Sequence, residues 1–195
     1  MAEDIIKAQN NIHNTEMLEC FDDSGNIIEP VLRRLAHEEP LKYNHAVVNI
    51  WLINKKGEIL CSRRNEALKG NPGKWQTYFG GHLKAGITFI ENAKLELEEE
   101  IGLNVRHEDL CLLDKGYYEP SKHFYESYIY IFDKPLTDLN FNDGEIIDIK
   151  WYSIEDYWKE RGLNENKWCN GLTEYTEKKI EEFIKNSPEF LKRIV

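Results

Sequence analysis

The feature that most constrains this chain is a run of acidic residues at the end of a helix. Residues 95–103 read LELEEEIGL, and Gly102 is the kind of residue that commonly ends a helix. Glu96, Glu99 and Glu100 are spaced i, i+3 and i+4, so they share one helical face. The sequence therefore predicts three carboxylates grouped on one turn of a helix.

The residues before this run support a well-defined helix. Thr88 is a favourable N-cap, and Glu91 three residues later completes a capping box. Apolar residues recur at helical spacing and predict a stripe that packs on a core, namely Ile90, Ala93, Leu97 and Ile101. The helix is thus predicted to begin after Thr88 and to end at Gly102.

Carboxylates at this end of a helix are unfavourable. Like charges at helical spacing repel by roughly 0.2–0.5 kcal/mol per pair, and each faces the negative end of the helix dipole at roughly 0.3–1 kcal/mol. No lysine or arginine stands three or four positions from Glu99 or Glu100. A divalent cation would turn the repulsion into coordination, because Mg²⁺ is held by carboxylates together with substrate phosphates. The alternative interpretation is a solvated acidic face.

The overall charge narrows the classes of partner. Lys and Arg total 25 against 35 Asp and Glu, and the net charge of −10 disfavours nonspecific binding to nucleic acid or to an anionic membrane. Small phosphorylated molecules stay compatible, since they need only a local basic pocket or a bridging cation. The four cysteines form no CxxC pair, and no apolar stretch approaches the roughly 20 residues of a membrane span. We therefore expect a cytoplasmic protein that binds neither nucleic acid nor membrane.

Strand and turn signals surround the acidic helix. Apolar or alternating segments bounded by turn residues predict strands over residues 16–22, 45–54, 59–64, 75–81, 110–118, 124–132 and 145–152. Helices are predicted to start at Ser153 and to cover 173–185. Mixed strands, one central helix and C-terminal helices indicate an α/β sandwich. We expect residues 1–15 to form a flexible or accessory arm and residues 16–195 to form one domain, with C-terminal helices from about 153.

The stretch 81–103 resembles the Nudix box. That pattern is Gly, five residues, Glu, seven residues, then Arg-Glu-apolar-any-Glu-Glu-any-Gly-apolar. The chain matches it at Gly81, Glu96, Leu97, Glu99, Glu100, Gly102 and Leu103. The resemblance covers roughly residues 16–165. It implies a Nudix-type α/β/α sandwich with a mixed sheet and extra C-terminal helices, and an enzyme that hydrolyses a nucleoside diphosphate linked to another group.

The same resemblance implies roles for the acidic residues. Glu96, Glu99 and Glu100 would be the catalytic carboxylates and bind Mg²⁺ or Mn²⁺, with a small-molecule diphosphate as substrate. Such ions neutralise the diphosphate and lower the pKa of an attacking water. Three glutamates are alternatives for accepting the proton of that water, namely Glu96, Glu126 and Glu145.

The box departs from the family pattern at two positions. Ile87 stands where the first Glu belongs, and Leu95 stands where the Arg belongs. In the family these two residues work together, so the resemblance implies that losing only one would leave a partly buried charge unpaired, whereas losing both allows an apolar replacement. We therefore expect Ile87 and Leu95 to pack together. The departures also favour an alternative function, a catalytically weak module that binds a nucleotide or a protein.

The flanking residues are similar to the isopentenyl-diphosphate isomerase-like branch of the superfamily. The similar stretches are residues 25–29, 32–37, 63–64, 71–75 and 80–82, with His45 at a strand start. This resemblance implies a second divalent metal, Mn²⁺ or Zn²⁺, bound by His37, His45, His82 and by Glu126 from a later strand. Taken singly, each histidine also suits a structural role.

Isomerase chemistry is the less favoured alternative. The isomerases need a cysteine just before the Gly-His pair, and this chain has Gly80 there. None of the four cysteines is near that point in the sequence. Hydrolysis is therefore the preferred interpretation.

Basic and small residues around the box are predicted to bind the substrate. Arg64 matches the residue that grips diphosphate in the related branch, and its guanidinium fork suits phosphate oxygens. Gly81 and His82 in the glycine turn, and Lys69 in the loop after Arg64, are further predicted contacts. Segment 153–195 either covers the pocket or makes a homodimer contact, and the sequence leaves both roles open.

Overall fold

A mixed sheet with helices on both faces forms the described part of the chain. The computed structural model describes residues 6–7, 11–12, 14–141, 144–169 and 173–187. The strands are β1 (Met17–Leu18), β2 (Val31–Leu32), β3 (His45–Ile53), β4 (Ile59–Arg64), β5 (Trp75–Gln76), β6 (Cys111–Tyr118), β7 (His123–Ile131) and β8 (Ile146–Tyr152). The helices are labelled α1 (Arg33–Ala36), α2 (Phe89–Ile101), α3 (Ile154–Leu163) and α4 (Thr173–Asn186). Short 3₁₀ turns occur at His107–Asp109, Glu119–Ser121, Leu136–Asp138 and Glu165–Lys167.

The long strand β3 lies at the centre of the sheet. Its whole length pairs in parallel with β7, from His45 opposite His123 to Ile53 opposite Ile131. The strand order is β5-β4-β3-β7-β6, β8 pairs with β4, and these other pairings are antiparallel. β1 and β2 form a separate antiparallel pair. The sheet is therefore mixed, and the predicted α/β class is confirmed.

Side chains of β3 alternate between two hydrophobic clusters. Val48, Ile50 and Leu52 are buried with the apolar stripe of α2, formed by Ala93, Leu97 and Ile101. Trp51 and Ile53 face the other way and are buried with Tyr157 of α3 and Ile180 of α4. Helix α2 thus covers one face of the sheet, while α3 and α4 cover the other.

The C-terminal helices also have a structural role. Their buried side chains complete the core beneath the sheet. A buried polar contact adds to this packing. Thr77 Oγ1 donates to Glu177 Oε1 at 3.1 Å, and Arg161 Nη1 lies 3.7 Å from the same oxygen. Glu177 of α4 is only 2% exposed.

Helix α2 begins and ends where the sequence predicts. Thr88 Oγ1 accepts from the Glu91 amide, while the Glu91 carboxylate accepts from the Thr88 amide at 2.8 Å, which completes the capping box. At the other end Gly102 has φ 65°, and its amide donates to the carbonyl oxygens of Leu97 and Glu98. The left-handed conformation suits glycine, so the helix end is fixed by local sequence.

Segments 16–22 and 75–81 form shorter strands than the sequence predicts. Only Met17–Leu18 and Trp75–Gln76 are strands, and isolated bridges continue the pairing at Phe21 and Phe79. The described parts of the predicted arm, residues 6–7, 11–12 and 14–15, are helical. No helix in the described ranges is both long and apolar enough to cross a membrane.

The segment just before α2 lies along β3 and carries the glycine pair. Val48 donates its amide to the Gly81 carbonyl at 2.9 Å, and the amide of Ile50 donates to the Phe79 carbonyl at 2.7 Å. Gly80 between them has φ 133°. A Cβ atom there would lie 2.1 Å from the Val48 carbonyl oxygen. Only glycine fits this position without a shift of β3.

Gly80→Ala is expected to destabilise the protein by at least about 2 kcal/mol, because the added methyl meets backbone and the φ angle is unfavourable for alanine. The free energy of unfolding from urea denaturation measures this. Gly70→Ala is the matched control, since a Cβ at Gly70 meets nothing within 4 Å. The control should change stability by less than about 0.5 kcal/mol. Equal effects of the two changes would contradict the close approach of Gly80 to β3.

Candidate active site

The three acidic residues of α2 converge on one cleft. Glu96 and Glu100 are only 9% and 8% exposed, whereas the Glu99 side chain is 54% exposed. The cleft has a volume of about 530 Å³, and its other lining residues include Glu16, Arg33, Arg64, Gly70, Gln76, Tyr78, Gly80, Gly81, His82, Lys84, Glu145 and Cys169. Acidic, basic and small residues from distant parts of the chain thus meet at one place.

Glycine at position 81 makes room for the Glu96 carboxylate. A Cβ atom at Gly81 would lie 2.7 Å from Glu96 Oε2. Because the carboxylate is packed against backbone, burial raises the pKa of Glu96 to about 7, with Lys84 acting in the opposite direction. The glycine pair is therefore needed twice, by Gly80 for its approach to β3 and by Gly81 for this carboxylate.

A lysine from the loop before α2 partly neutralises the cluster. Lys84 Nζ lies 2.8 and 2.7 Å from the two carboxylate oxygens of Glu99, and 4.0 Å from Glu96 Oε1. The sequence analysis did not predict this contact, because it compared the glutamates only with residues of the same helix, and Lys84 precedes the N-cap Thr88. The sequence did indicate a nearby cation, since Lys84 lies within the box of residues 81–103.

Asn92 is a second site residue that sequence reasoning missed. It is fully buried one turn before Glu96. Its Oδ1 accepts from the Lys84 amide at 3.1 Å, and its Nδ2 donates to the His82 carbonyl at 3.1 Å and to Glu96 Oε1 at 3.5 Å. Asn92 therefore ties the loop of residues 82–84 to the helix that carries the glutamates. The available signal was its place four residues before Glu96, on the same face of the helix.

The expected packing of Ile87 on Leu95 is not supported. Leu95 is 37% exposed and lies on the solvent side of α2. Neither residue belongs to the hydrophobic clusters formed by the described residues. The reason is helical periodicity, since Leu95 shares the outer face with the exposed residues Glu91 and Glu98. The positive charge beside the glutamates is supplied by Lys84.

The two strand-end arginines take different directions, as alternation along a strand predicts. Arg64 lines the cleft, with Nε donating to the Gly70 carbonyl at 3.0 Å and Nη1 donating to Gln76 Oε1 at 3.2 Å. Arg63 points into the loop and pairs with Glu66 at 2.9 Å. Lys69 is exposed and, unlike Gly70, is not among the residues that line the cleft.

The donor set of the cleft suits a hard divalent cation. Carboxylate oxygens of Glu96, Glu99 and Glu100 are the ligands that Mg²⁺ and Mn²⁺ prefer, and the glycine pair leaves their approach open. Two of these carboxylates are buried, so leaving them charged without a cation is costly. The residues present therefore fit the metal that the box resemblance implies.

The three predicted histidines form a cluster of their own. One ring nitrogen from each of His37, His45 and His82 lies within 4.8 Å of the others. His37 Nε2 and His82 Nε2 are 2.9 Å apart. His45 is 3% exposed, and its Nδ1 has no hydrogen-bond partner among the described residues. A buried nitrogen without a partner, beside two other imidazoles, fits a transition-metal site.

Two of these imidazoles, those of His45 and His82, are held in the neutral form that metal binding requires. Burial, then the nearby His37 and His123, lowers the pKa of His45 to about 3. Burial also lowers the pKa of His82 well below its usual range, with Arg33 and the other histidines adding to the effect. The surroundings thus disfavour imidazolium and favour imidazole as a ligand.

The predicted glutamate partner of the histidines is wrong, and a fourth histidine lies nearby instead. His45 pairs with His123 across β3 and β7, and their rings are 5.5 Å apart. Glu126 follows His123 by three positions, so the two-residue period of a strand places it on the opposite face. Its Oε2 accepts from the Tyr128 hydroxyl there.

Glu126 is also separate from the acidic cleft. It lines a different cavity of about 440 Å³, together with aromatic residues that include Phe21, Phe89, Tyr117 and Phe124. Its predicted roles as metal ligand and as base are therefore not supported. Glu145 does line the acidic cleft and is still a candidate for the base.

Cys169 lies in the cleft although it is far from the box in sequence. Its amide donates to the Trp75 carbonyl at 2.8 Å, and the residue is 4% exposed. Burial raises the pKa of its thiol, while Arg64, Lys74 and Arg161 act against this. Local sequence carried no signal for this placement, which depends on packing of the segment after α3.

Comparisons with family models and with individual proteins agree on one family. A family model described as NUDIX domain matches residues 43–169. The chain is 26% identical over 141 residues to an uncharacterised Nudix hydrolase of Nostoc sp., covering 72% of this chain and 82% of the relative. It is 29% identical over 144 residues to the isopentenyl-diphosphate Delta-isomerase of Paenarthrobacter aurescens, covering 71% and 77%.

A solved structure shows the same fold. The DR0079 protein from Deinococcus radiodurans superposes with a TM-score of 0.65 at 20% identity. The match covers 88% of this chain and 98% of that chain. The architecture around the cleft is therefore that of a known fold.

In metal-free protein, Glu96 should make stability fall as pH rises. Its folded-state pKa of about 7 lies above the ordinary value of 4.5, so the native state holds this proton more tightly than the unfolded state. The contribution is fully present below pH 4.5 and is lost as pH rises through 7. Glu96→Gln should therefore be about 1–3 kcal/mol more stable than wild type at pH 8, with a smaller difference at pH 5.

Urea unfolding in EDTA at several pH values measures this difference. Glu98→Gln is the control, because Glu98 is exposed on the same helix and should leave the pH dependence unchanged. Parallel stability curves for wild type and Glu96→Gln would contradict the raised pKa.

Proposed function

The chain belongs to the Nudix family, since the family model matches residues 43–169, and we propose that it is a Nudix hydrolase of diphosphate linkages. Its proposed substrate is a nucleoside diphosphate derivative or a related small molecule, cleaved with Mg²⁺ or Mn²⁺. One observation carries this proposal. Glu96, Glu99 and Glu100 line one cleft together with the cationic side chains of Arg64 and Lys84.

The basic residues of the cleft suit the phosphates. The guanidinium of Arg64 is fixed by two acceptors, the Gly70 carbonyl and the Gln76 amide oxygen, and Arg64 lines the cleft. A planar guanidinium held in this way binds phosphate oxygens through paired hydrogen bonds. We assign to Arg64 the orientation of the diphosphate.

The acidic residues suit the metal and the proton. Glu96, Glu99 and Glu100 would hold the divalent cation, which supplies charge neutralisation at the diphosphate and lowers the pKa of water. Glu145 lines the same cleft and is not part of the helical cluster. We assign proton acceptance to Glu145, with Glu96 as the alternative because burial raises its pKa to about 7.

The histidine cluster supports a second metal site. His37, His45 and His82 offer three nitrogens and no carboxylate from Glu126, a donor set that favours Zn²⁺ over Mg²⁺. His82 also lines the acidic cleft, so this second site adjoins the first. We propose that it has a structural role and fixes the segment of residues 82–84, which follows the glycine pair.

An isomerase function is the second candidate, and Cys169 is the observation that favours it. The related isomerase from Paenarthrobacter aurescens gives this candidate a precedent in the family. The Cys169 thiol is kept protonated by burial and lies in the cleft beside Arg64. Gly80, in contrast, has no room for a side chain. Incorporation of solvent deuterium into an isoprenyl diphosphate would support isomerisation over hydrolysis.

Replacing the two cleft glutamates should remove hydrolysis. Glu99→Gln combined with Glu100→Gln takes away two of the three carboxylates for the metal, so kcat should fall by at least about 100-fold. The assay is phosphate release, with Mg²⁺ or Mn²⁺, from a panel of nucleoside diphosphate derivatives and isoprenyl diphosphates.

The matched control is Glu98→Gln, which removes the same charge from the exposed side of the same helix and should keep full turnover. Full turnover by the double variant would refute the hydrolase proposal. Tight binding of a nucleotide by wild type, with no metal-dependent turnover across the panel, would instead support a noncatalytic binding module.

The histidine site should bind one equivalent of Zn²⁺, and His45→Gln should lose that binding. The buried His45 nitrogen contributes a neutral ligand that glutamine does not replace. Metal content after dialysis, measured by mass spectrometry, and titration calorimetry report the loss. His107→Gln is the control, because His107 is exposed in a 3₁₀ turn away from the cluster. Equal Zn²⁺ binding by both variants would contradict the assignment.

A further inference from the structure

Lys84 contacts two of the carboxylates that the proposed metal would need. Its Nζ is within 2.8 Å of both oxygens of Glu99 and 4.0 Å from Glu96. The ammonium group therefore lies where positive charge is required. A cation binding to the same oxygens must either displace it or be repelled by it.

The backbone of Lys84 is fixed while its side chain has room to move. Its amide donates to the buried Asn92, and the neighbouring His82 carbonyl accepts from the same asparagine. The Lys84 side chain is 28% exposed and opens into the cleft. A flexible four-carbon stem on an anchored backbone allows the ammonium to swing without moving the loop.

We propose that Lys84 is an exchangeable counter-ion of the site. It neutralises Glu99 and Glu96 when no metal is bound, and it yields their oxygens to the divalent cation. The displaced ammonium then binds the phosphates of the substrate in the same cleft. This inference rests on the proposed function, because it requires a metal at the α2 glutamates and an anionic ligand beside them.

The two positions at which the box departs from the family pattern explain why a lysine is needed here. Ile87 and Leu95 occupy the positions at which the family pattern has Glu and Arg, so that ion pair is absent here. The exposed Leu95 supplies no replacement charge. Lys84 provides the cation from a different position, and from a loop, where it is free to change partner between the empty and the loaded states.

A counter-ion of this kind has opposite effects on two binding constants. Removing its charge eliminates competition with the metal, so the metal should bind more tightly. The same change removes a cation from the substrate site, so phosphate should bind more weakly. A purely structural lysine would shift both constants in the same direction or neither.

Lys84→Met tests the proposal in the full-length chain by titration calorimetry. The dissociation constant for Mg²⁺ alone should fall about three- to ten-fold relative to wild type. At saturating Mg²⁺, the dissociation constant for imidodiphosphate should rise by about the same factor. Lys84→Arg keeps the charge, so both dissociation constants of this variant should stay within about two-fold of wild type.

Lys55→Met is the matched control. Lys55 also forms an ion pair, with Asp133 at 3.2 Å, and its side chain is 38% exposed, but it is not part of the cleft. It should leave both constants unchanged. Lys84→Gln repeats the test if circular dichroism shows that the methionine variant is unfolded.

The outcomes separate the two proposals. If wild type binds Mg²⁺ and the variants without the charge, Lys84→Met and Lys84→Gln, bind it no more tightly, the counter-ion role is overturned while the hydrolase proposal stands. If imidodiphosphate binding is unaffected, the contact with phosphate is overturned. If wild type does not bind Mg²⁺ or Mn²⁺ at all, the metal site proposed for the hydrolase fails, and the role of Lys84 fails with it.

Discussion

Negative charge at the C-terminal end of α2 is the constraint on which the site depends. Glu96 and Glu100 are buried one helical turn apart. They repel each other, and both lie near the negative end of the helix dipole. The helix tolerates this because other interactions fix it: a capping box at Thr88, an αL glycine at Gly102 and an apolar stripe in the core. The fold therefore holds the carboxylates close together, and a bound cation would offset their repulsion.

Strand β3 connects this helix to the rest of the chemistry. One of its faces packs on α2, and its edge pairs with the segment that carries Gly80 and Gly81. Its first residue, His45, belongs to the histidine cluster. The acidic cleft and the histidine cluster are thus neighbours because they are built on the same strand and the same glycine turn.

The sequence predicted those parts of the site that depend on local rules. Thr88 and Gly102 act on residues within one turn, so the limits of α2 follow from the residues themselves. The contact of Lys84 with Glu99 depends on how a loop turns back over the helix, and Cys169 reaches the cleft through tertiary packing. Glu126 was predicted to join the histidines, but it stands three positions after His123, and an odd offset along a strand puts its side chain on the other face of the sheet.

The buried contact of Thr77 with Glu177 has a consequence for how the protein unfolds. Thr77 lies three residues before Gly80, and Glu177 lies in the last described helix, so the contact joins two ends of the fold that are far apart in sequence. If α4 detached alone, Thr77 and Arg161 would lose their shared acceptor, and the apolar side chains that pack against Ile180 would be exposed to water. Local opening of α4 is therefore disfavoured. The C-terminal helices should unfold cooperatively with β5 and with the segment that leads from it to the glycine pair.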